Sequence, residues 1–336
     1  MKVLLDHHFP FALAHGGLQI QIVRTREALE KLGVETEYLR WYDGNQKGDI
    51  LHFFGRIPLP LLQLARQKSM KIVMAELLTE QGSRSPRQLF VQRLMVRLFE
   101  KTAPGLSADM FAWQSYRAVD ACVALTAWEA HLMNYLFAAP PGKIHVLPNG
   151  VEEIFLQSRP VARGPWLLCV ATITERKRIV ELAEAAIQAQ TPVWIIGKPY
   201  SDSDPYACRF FELARQQPKF IRFEGAIQDR ARLAAAYRES RGFVLLSAME
   251  SLSLSALEAA ACECPLLLSD LPWAKTVFKG TIFYCPVTPD TSQTAAALRR
   301  FYDAIPVLKP PAKPLTWIQV AEQLNQLYES LPKTSL

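Results

Sequence analysis

The sequence predicts an α/β chain of two doubly wound parallel-sheet domains, closed by a helix that crosses back. Three observations predict it. Apolar runs of strand length alternate with helix-period segments along all 336 residues. Those runs are rich in Val, Ile and Leu without apolar–polar alternation, as strands covered on both faces require. One stretch rich in Pro, Gly and charge, LPNGVEEIFLQSRPVARGP (147–165), divides the chain near its middle. The length is too great for one typical core and suits two.

Taken in order, the first half reads as strands at KVLLD, ETEYLRW, DILHFF, KIVMAEL, VDACVALT and KIHVLP. Amphipathic helices separate most of them, the clearest from Leu18 to Leu32. The second half reads as strands at WLLCVAT, PVWIIG, FIRFEG, GFVLLS and PLLLS. A Pro-rich stretch, IPVLKPPAKP (305–314), precedes the last helix, TWIQVAEQLNQLYESL. The predicted domains are 1–155, joined by the returning helix 316–332, and 160–310. Open sheets of this kind bind ligands beyond the carboxyl ends of their strands, so the loops there are where chemistry is expected.

Composition narrows the classes. With 50% hydrophobic residues a packed globule is expected and disorder is not. The net charge of +6 is spread without a lysine-rich tail, which gives nucleic acid binding little support. A weak preference for anionic ligands or an anionic membrane surface stays open. No apolar run approaches the roughly 20 residues of a membrane helix. The opening MKVLLDHHFPF reads as a buried strand and no signal peptide, so a cytoplasmic chain is expected. The six cysteines fit no zinc or redox spacing and read as free buried thiols.

SAMESLSLSALEAA (247–260) places Glu250 and Glu258 eight apart among small and apolar residues. A buried strand ends near Ser247 and a helix starts around Ser253 to Ser255. Glu250 then precedes the helix at the ligand end of the sheet, and Glu258 lies about one turn inside it. The unpaired amides at the helix start, with the helix dipole, favour an anion such as a diphosphate. Eight helical residues span roughly 12 Å, enough for two carboxylates to grip hydroxyls at the two ends of a sugar nucleotide. On spacing alone, two solvent-facing acids are an equally good reading. Earlier in the same half, TERKR puts Arg176 and Lys177 at another helix start, where cations sit badly unless an anion joins them.

Together these stretches resemble glycosyltransferase family 4, retaining enzymes of the GT-B fold, which consists of two facing Rossmann-like domains. The resemblance covers nearly the whole chain. It implies that Glu250 contacts the donor sugar and stabilises charge at the anomeric centre. Glu258 would accept hydrogen bonds from the nucleotide ribose. The amides of Ser251, Leu252 and Ser253 would face the phosphates, although the family usually has Gly-Phe-Gly there. Glu263 likewise stands where the family prefers Gly. VATITERKRIVELAEA resembles the family's first donor-domain strand and helix, so Lys177 and Arg176 would neutralise the departing diphosphate. Thr172 takes the place of the family's strand-end arginine, and Gly197 joins the donor set. HGGLQIQIVRTREALEKLG resembles the family's glycine loop, where Gly16 and Gly17 would let the backbone approach the donor. DILHFF resembles its third strand, with His52 at its end. The family's His after the fourth strand is absent, and Glu76 stands in or near its place. Glu76, His52 and His15 are therefore the acceptor-side candidates.

The resemblance implies a glycosyltransferase that moves a sugar from a nucleotide-diphosphate sugar to a glycan or lipid-linked acceptor in the interdomain cleft, without cofactor or metal. DSD at 202–204 could hold a divalent cation, but Asp204 before Pro is ordinary turn chemistry. A donor-binding or scaffold subunit with weakened turnover is the alternative; a Rossmann oxidoreductase lacks the G-x-G-x-x-G. RSPRQLFVQRLMVRLFEK (84–101) aligns Arg93, Arg97 and Lys101 on one stripe. A core-packing helix with a solvated basic face is the commoner use of such a pattern. Peripheral contact with the inner face of a membrane through 87–101 is the other.

Overall fold

The computed structural model describes residues 1–9, 11, 16–157, 161–280 and 282–332. The chain forms two compact units, residues 1–150 with the returning segment from Leu315, and Val151–Pro314.

The first unit holds a parallel sheet of β1 (Lys2–His7), β2 (Glu35–Tyr38), β3 (Ile50–Phe54), β4 (Lys71–Met74), β5 (Ala121–Ala124) and β6 (Ile144–Val146), in the order β2-β1-β3-β4-β5-β6. All five residues of β3 are buried, because helices cover both faces of the sheet. Leu4, Leu51, Phe53, Ile72 and Met74 share a core with Tyr116, Leu132, Leu136 and Phe137. Helix Gly17–Lys31 packs along the returning helix Trp317–Ser330. Capping boxes start two helices: Ser85 with Gln88 before Pro86–Thr102, and Thr316 with Gln319 before Trp317–Ser330. Each such cap is worth about 1 kcal/mol. Gly150 passes directly under the backbone of Thr316 and Trp317, where a side chain would have no room.

The second unit holds β7 (Leu167–Val170), β8 (Val193–Ile196), β9 (Ile221–Glu224), β10 (Gly242–Leu245), β11 (Leu266–Ser269) and β12 (Phe283–Cys285), in the order β12-β11-β10-β7-β8-β9, again all parallel. Every residue of β8, β10 and β11 is buried. Eleven strands match the apolar runs of the sequence. The twelfth, β12, is a three-residue edge strand that no predicted run covers. The Pro- and Gly-rich stretch around 150 is less of a plain linker than its composition implies. It carries a helical turn, Glu153–Leu156, whose Phe155 is fully buried in the second unit. Five cysteines are buried free thiols, as expected; Cys208 is exposed.

Candidate functional site

In the second sheet the strand order reverses between β7 and β10. The loops after these two strands therefore diverge, which makes the space outside their carboxyl ends the natural ligand position. The loop after β7 closes into a 3-10 turn, Glu175–Lys177; the loop after β10 carries Glu250. The two are tied together. The Ala248 amide donates to the Arg176 carbonyl at 2.8 Å, and Arg176 Nη1 donates to the Met249 carbonyl at 3.1 Å. Both cations converge on one carboxylate oxygen, Glu250 Oε1: Arg176 Nη1 at 3.3 Å, and Lys177 Nζ in direct contact. Glu250 is only 8% exposed, so the acid that the spacing singled out is not surface decoration.

Helix Leu254–Ala261 begins where the serine run ends. Ser253 caps it, accepting from the Ala256 amide at 3.3 Å, and its hydroxyl meets that of Ser255 at 3.1 Å. Ser251, Leu252 and Ser253 are all buried. Glu258, 7% exposed, points into a polar cluster and not to solvent. Its Oε1 accepts from Arg230 Nη2, and its Oε2 from the Tyr237 hydroxyl at 2.9 Å. Arg230 Nε donates in turn to Glu152 Oε1 at 2.7 Å, and its guanidinium lies 4.7 Å over the Phe155 ring. Burial raises the Glu258 carboxyl above the usual range, while Arg230 and Tyr237 pull it back down. Burial likewise pushes the Tyr237 hydroxyl well up, which keeps it a donor.

Gly197 ends β8 with φ +156°, and a side chain there would strike the Ala171 carbonyl at the end of β7. The two strand ends can lie this close only because the residue is glycine. Thr172 follows Ala171, half-buried. Glu263 adopts the left-handed conformation, φ +56°, that favours glycine. Asp204 spends its side chain on capping helix Pro205–Gln216, accepting from the Tyr206 amide at 2.9 Å.

The first-unit candidates sit differently. His52 lies in the middle of β3 and not at its end. It is 2% exposed, its Nδ1 is 2.6 Å from the Tyr328 hydroxyl, and its ring stacks on Phe54. Burial pushes its pKa down to about 3. The returning C-terminal helix is what covers it, and no local pattern around DILHFF announces that. Glu76 follows β4 with both oxygens engaged. Arg56 Nε and Nη2 bond them at 2.8 Å each, and the Tyr116 hydroxyl adds a further bond. Gly16 caps helix Gly17–Lys31 with φ +148°, and Gly17 opens it. His15 lies outside the described residues.

Helix Pro86–Thr102 departs from the stripe expected of it. Arg93 is half-buried and stacks on Tyr135 at 4.3 Å. The outer face instead exposes Phe90, Val91, Leu94, Met95 and Leu98, the last by 60%, among exposed Arg87, Arg97 and Lys101. Spacing did not reveal Arg230, Tyr237, Arg56 or Tyr116. For Arg230 a signal was available: it is a cation in the first turn of a helix, where it needs a compensating anion, whereas Arg176 and Lys177 lie in the 3-10 turn ahead of theirs.

Residues 164–304 match the family described as "Glycosyl transferases group 1". No curated protein sequence matches the chain. Solved structures match along its whole length at low identity. A glycosyltransferase from Rickettsia africae is 12% identical, with 99% of each chain covered and a TM-score of 0.65. Sucrose-phosphate synthase from Thermosynechococcus elongatus is 19% identical, with 98% of each chain covered and a TM-score of 0.66. HepE from Anabaena, solved with UDP and glucose, is 13% identical, with 98% of this chain and 100% of that one covered and a TM-score of 0.62. The chain thus has the GT-B fold of glycosyltransferases, and residues 164–304 of its second unit are similar to glycosyl transferases group 1.

Proposed function

We propose that the protein is a retaining glycosyltransferase of family 4 type. It takes a sugar from a nucleotide-diphosphate sugar held by the second unit and passes it to a glycan or lipid-linked acceptor recognised by the first. The observation that carries this reading is the pairing of two buried glutamates on the β10 loop and its helix, with Lys177 and Arg176 brought from the β7 loop onto Glu250. HepE was solved with UDP and glucose, which fits a nucleotide donor.

In this reading the diphosphate lies at the start of helix Leu254–Ala261, where the first amides and the dipole favour it. Lys177 and Arg176 move from Glu250 onto the diphosphate as the bond between the anomeric carbon and the phosphate oxygen breaks. That frees Glu250 for the charge developing at the anomeric centre. The acceptor oxygen bonds the anomeric carbon from the same face, and its proton passes to the departing phosphate. Lys177, Arg176 and the helix amides supply the charge neutralisation that a metal supplies elsewhere, so the reaction needs none.

A catalytically weakened donor-binding subunit is the second reading. Serines at 251 and 253, where the family usually has glycine, favour it, because side chains there narrow the approach to the amides. A thermal-shift panel of nucleoside diphosphates tests the donor site, and hydrolysis of the matching sugar nucleotide separates the two readings. Binding with slow hydrolysis supports the enzyme, binding with no turnover on any acceptor supports the subunit, and no binding refutes both.

The outer face of helix Pro86–Thr102 fits peripheral membrane contact. Its exposed apolar residues would enter the lipid boundary, while Arg87, Arg97 and Lys101 meet anionic headgroups. No described helix is long and apolar enough to cross a membrane. The protein is expected to sediment with anionic liposomes at low salt and to come off as salt rises; failure to sediment removes the contact.

A further inference from the structure

We propose that His8 is a binding residue for a carbohydrate acceptor in the first unit. Its Nδ1 lone pair takes the hydrogen bond of a sugar hydroxyl, and the exposed ring of Phe9 beside it packs against the C–H face of the same sugar. The proposal rests on the transferase reading above and names the acceptor chemistry that reading leaves open. The hydroxyl is a neighbour of the one that reacts, because the reacting one gives its proton to the departing phosphate.

β1 ends at His7, and His8 and Phe9 follow it at the carboxyl edge of the first sheet. His8 Nε2 lies 2.9 Å from the Arg56 carbonyl. A carbonyl only accepts, so Nε2 carries the proton, and the neutral ring leaves Nδ1 as a bare acceptor. The ring is seated from one side. It meets Phe53 edge to face, with centroids 4.8 Å apart. Its Cδ2–Nε2 edge lies over Gly55, where a Cβ would come within 2.9 Å of Cδ2. Gly55, with φ +136°, thus leaves the space that the imidazole occupies. Nδ1 is across the ring from that seat, and among the described residues no group bonds it.

The neighbours complete the surface. His7 Nδ1 bonds the Phe54 carbonyl, which selects the opposite tautomer and makes Nε2 its bare nitrogen. The Phe9 ring, 64% exposed, stands 6.0 Å from the His7 ring and 6.5 Å from that of His8, centroid to centroid. Two lone pairs beside an apolar ring suit a ligand that donates hydrogen bonds and has one apolar face, as a sugar does; they offer an anion nothing. The charged groups facing His8 are His7 on its own strand, Arg56 after β3 and Glu76 after β4. Burial lowers the His8 pKa below the ordinary 6.5, the charges of His7 and Arg56 lower it further, and the Arg56 carbonyl and Glu76 only partly offset them. The lone pair is therefore present at pH 7. Of the other acceptor-side candidates described, Glu76 has both oxygens engaged by Arg56, and His52 is buried against Tyr328.

Two substitutions separate this role from a structural one. His8→Asn puts an amide oxygen near the place of Nδ1 and gives up the bond to Arg56. His8→Gln puts its amide near Nε2, keeps that bond and has no acceptor at Nδ1. The probes are the methyl glycosides of glucose, galactose, mannose and N-acetylglucosamine, titrated at pH 7.5 and 5 and followed by NMR of the glycoside and of the histidine nitrogens. UDP, GDP, ADP and CDP are titrated into the same preparation. Ligand-free wild type is expected to show His8, identified by its absence from His8→Gln, protonated at Nε2 alone at pH 7.5. One of the glycosides binds and shifts the Nδ1 signal. His8→Gln weakens that binding by about tenfold, the loss of one hydrogen bond, and His8→Asn weakens it less. Protonation removes the lone pair, so wild-type binding weakens as His8 titrates below pH 6.5. A His8 protonated at Nδ1 at pH 7.5, no binding by any of the glycosides, or equal affinity in wild type and His8→Gln overturns the proposal. So does binding kept by His8→Gln and lost by His8→Asn, which assigns His8 to holding the Arg56 backbone. Glycoside binding through His8 with no binding of any nucleoside diphosphate leaves the sugar site standing and refutes the transferase reading; nucleoside diphosphate binding without any glycoside does the reverse.

Discussion

At the carboxyl edge of the first sheet, Glu76 grips Arg56 through two bonds of 2.8 Å and takes a third from Tyr116. At the same edge of the second sheet, Glu258 takes one bond from Arg230 and one from Tyr237. Both clusters are a glutamate, an arginine and a tyrosine, yet they differ in where the arginine spends its donors. Arg56 commits two nitrogens to Glu76 and a third to the Phe111 carbonyl, so that cluster closes on itself. Arg230 divides its donors between two carboxylates, Nε to Glu152 and Nη2 to Glu258. The same three residue types close on themselves in one unit and reach on to a second carboxylate in the other. The distribution of the arginine's donors separates the two clusters, and residue type does not.

The comparison can be broken most directly in the first cluster. Glu76→Ala strands a mostly buried Arg56 and removes the acceptor of Tyr116, and is expected to cost about 3 kcal/mol of stability. Nucleotide binding by the folded fraction should be unchanged; urea denaturation together with titration of the diphosphate reads both. A stable Glu76→Ala with lost activity would instead make Glu76 a working residue of the acceptor side.

The next largest effect is expected at Lys177. Lys177→Ala should weaken nucleoside diphosphate binding by about 2 kcal/mol, the scale of a hydrogen bond to a charged group, and leave nucleoside binding nearly untouched. Equal losses for both ligands would refute contact with the diphosphate.

The smallest effect is a pH dependence in the first unit. His52 is held neutral in the fold, with its pKa down at about 3 against an ordinary 6.5. Above pH 6.5 this costs nothing. Below it the unfolded chain binds a proton that the folded chain refuses, so stability falls as pH drops toward 3, by up to about 1.4 kcal/mol per pH unit. Denaturation curves at pH 7.5 and 5 should show the loss in wild type and a smaller one in His52→Gln.

What the sequence made legible follows the range of the interaction. Runs such as GFVLLS and PLLLS show strands because a buried parallel strand writes its burial into adjacent residues. Glu250 and Glu258 are visible because the helix that spaces them is local. Arg230 and Tyr237 reach Glu258 from 28 and 21 residues away, and Arg56 reaches Glu76 from 20, along paths fixed by sheet order. Nothing in the neighbouring residues encodes those meetings. His52 shows the limit most clearly, since its partner Tyr328 lies 276 residues downstream and turns an expected strand-end ligand into a buried core residue. The sequence showed the two glutamates; sheet order supplied their partners.

The returning helix Trp317–Ser330 also orders events in time. It packs on helix Gly17–Lys31 and supplies the hydroxyl that meets His52, yet it leaves the ribosome after all of Val151–Pro314. During synthesis the second unit can therefore complete itself while the first still lacks one of its walls. The face awaiting Val320, Leu324 and Leu327 stays uncovered through that interval. A nascent chain halted before residue 315 should accordingly be a client for chaperones, through its oldest half and not its newest.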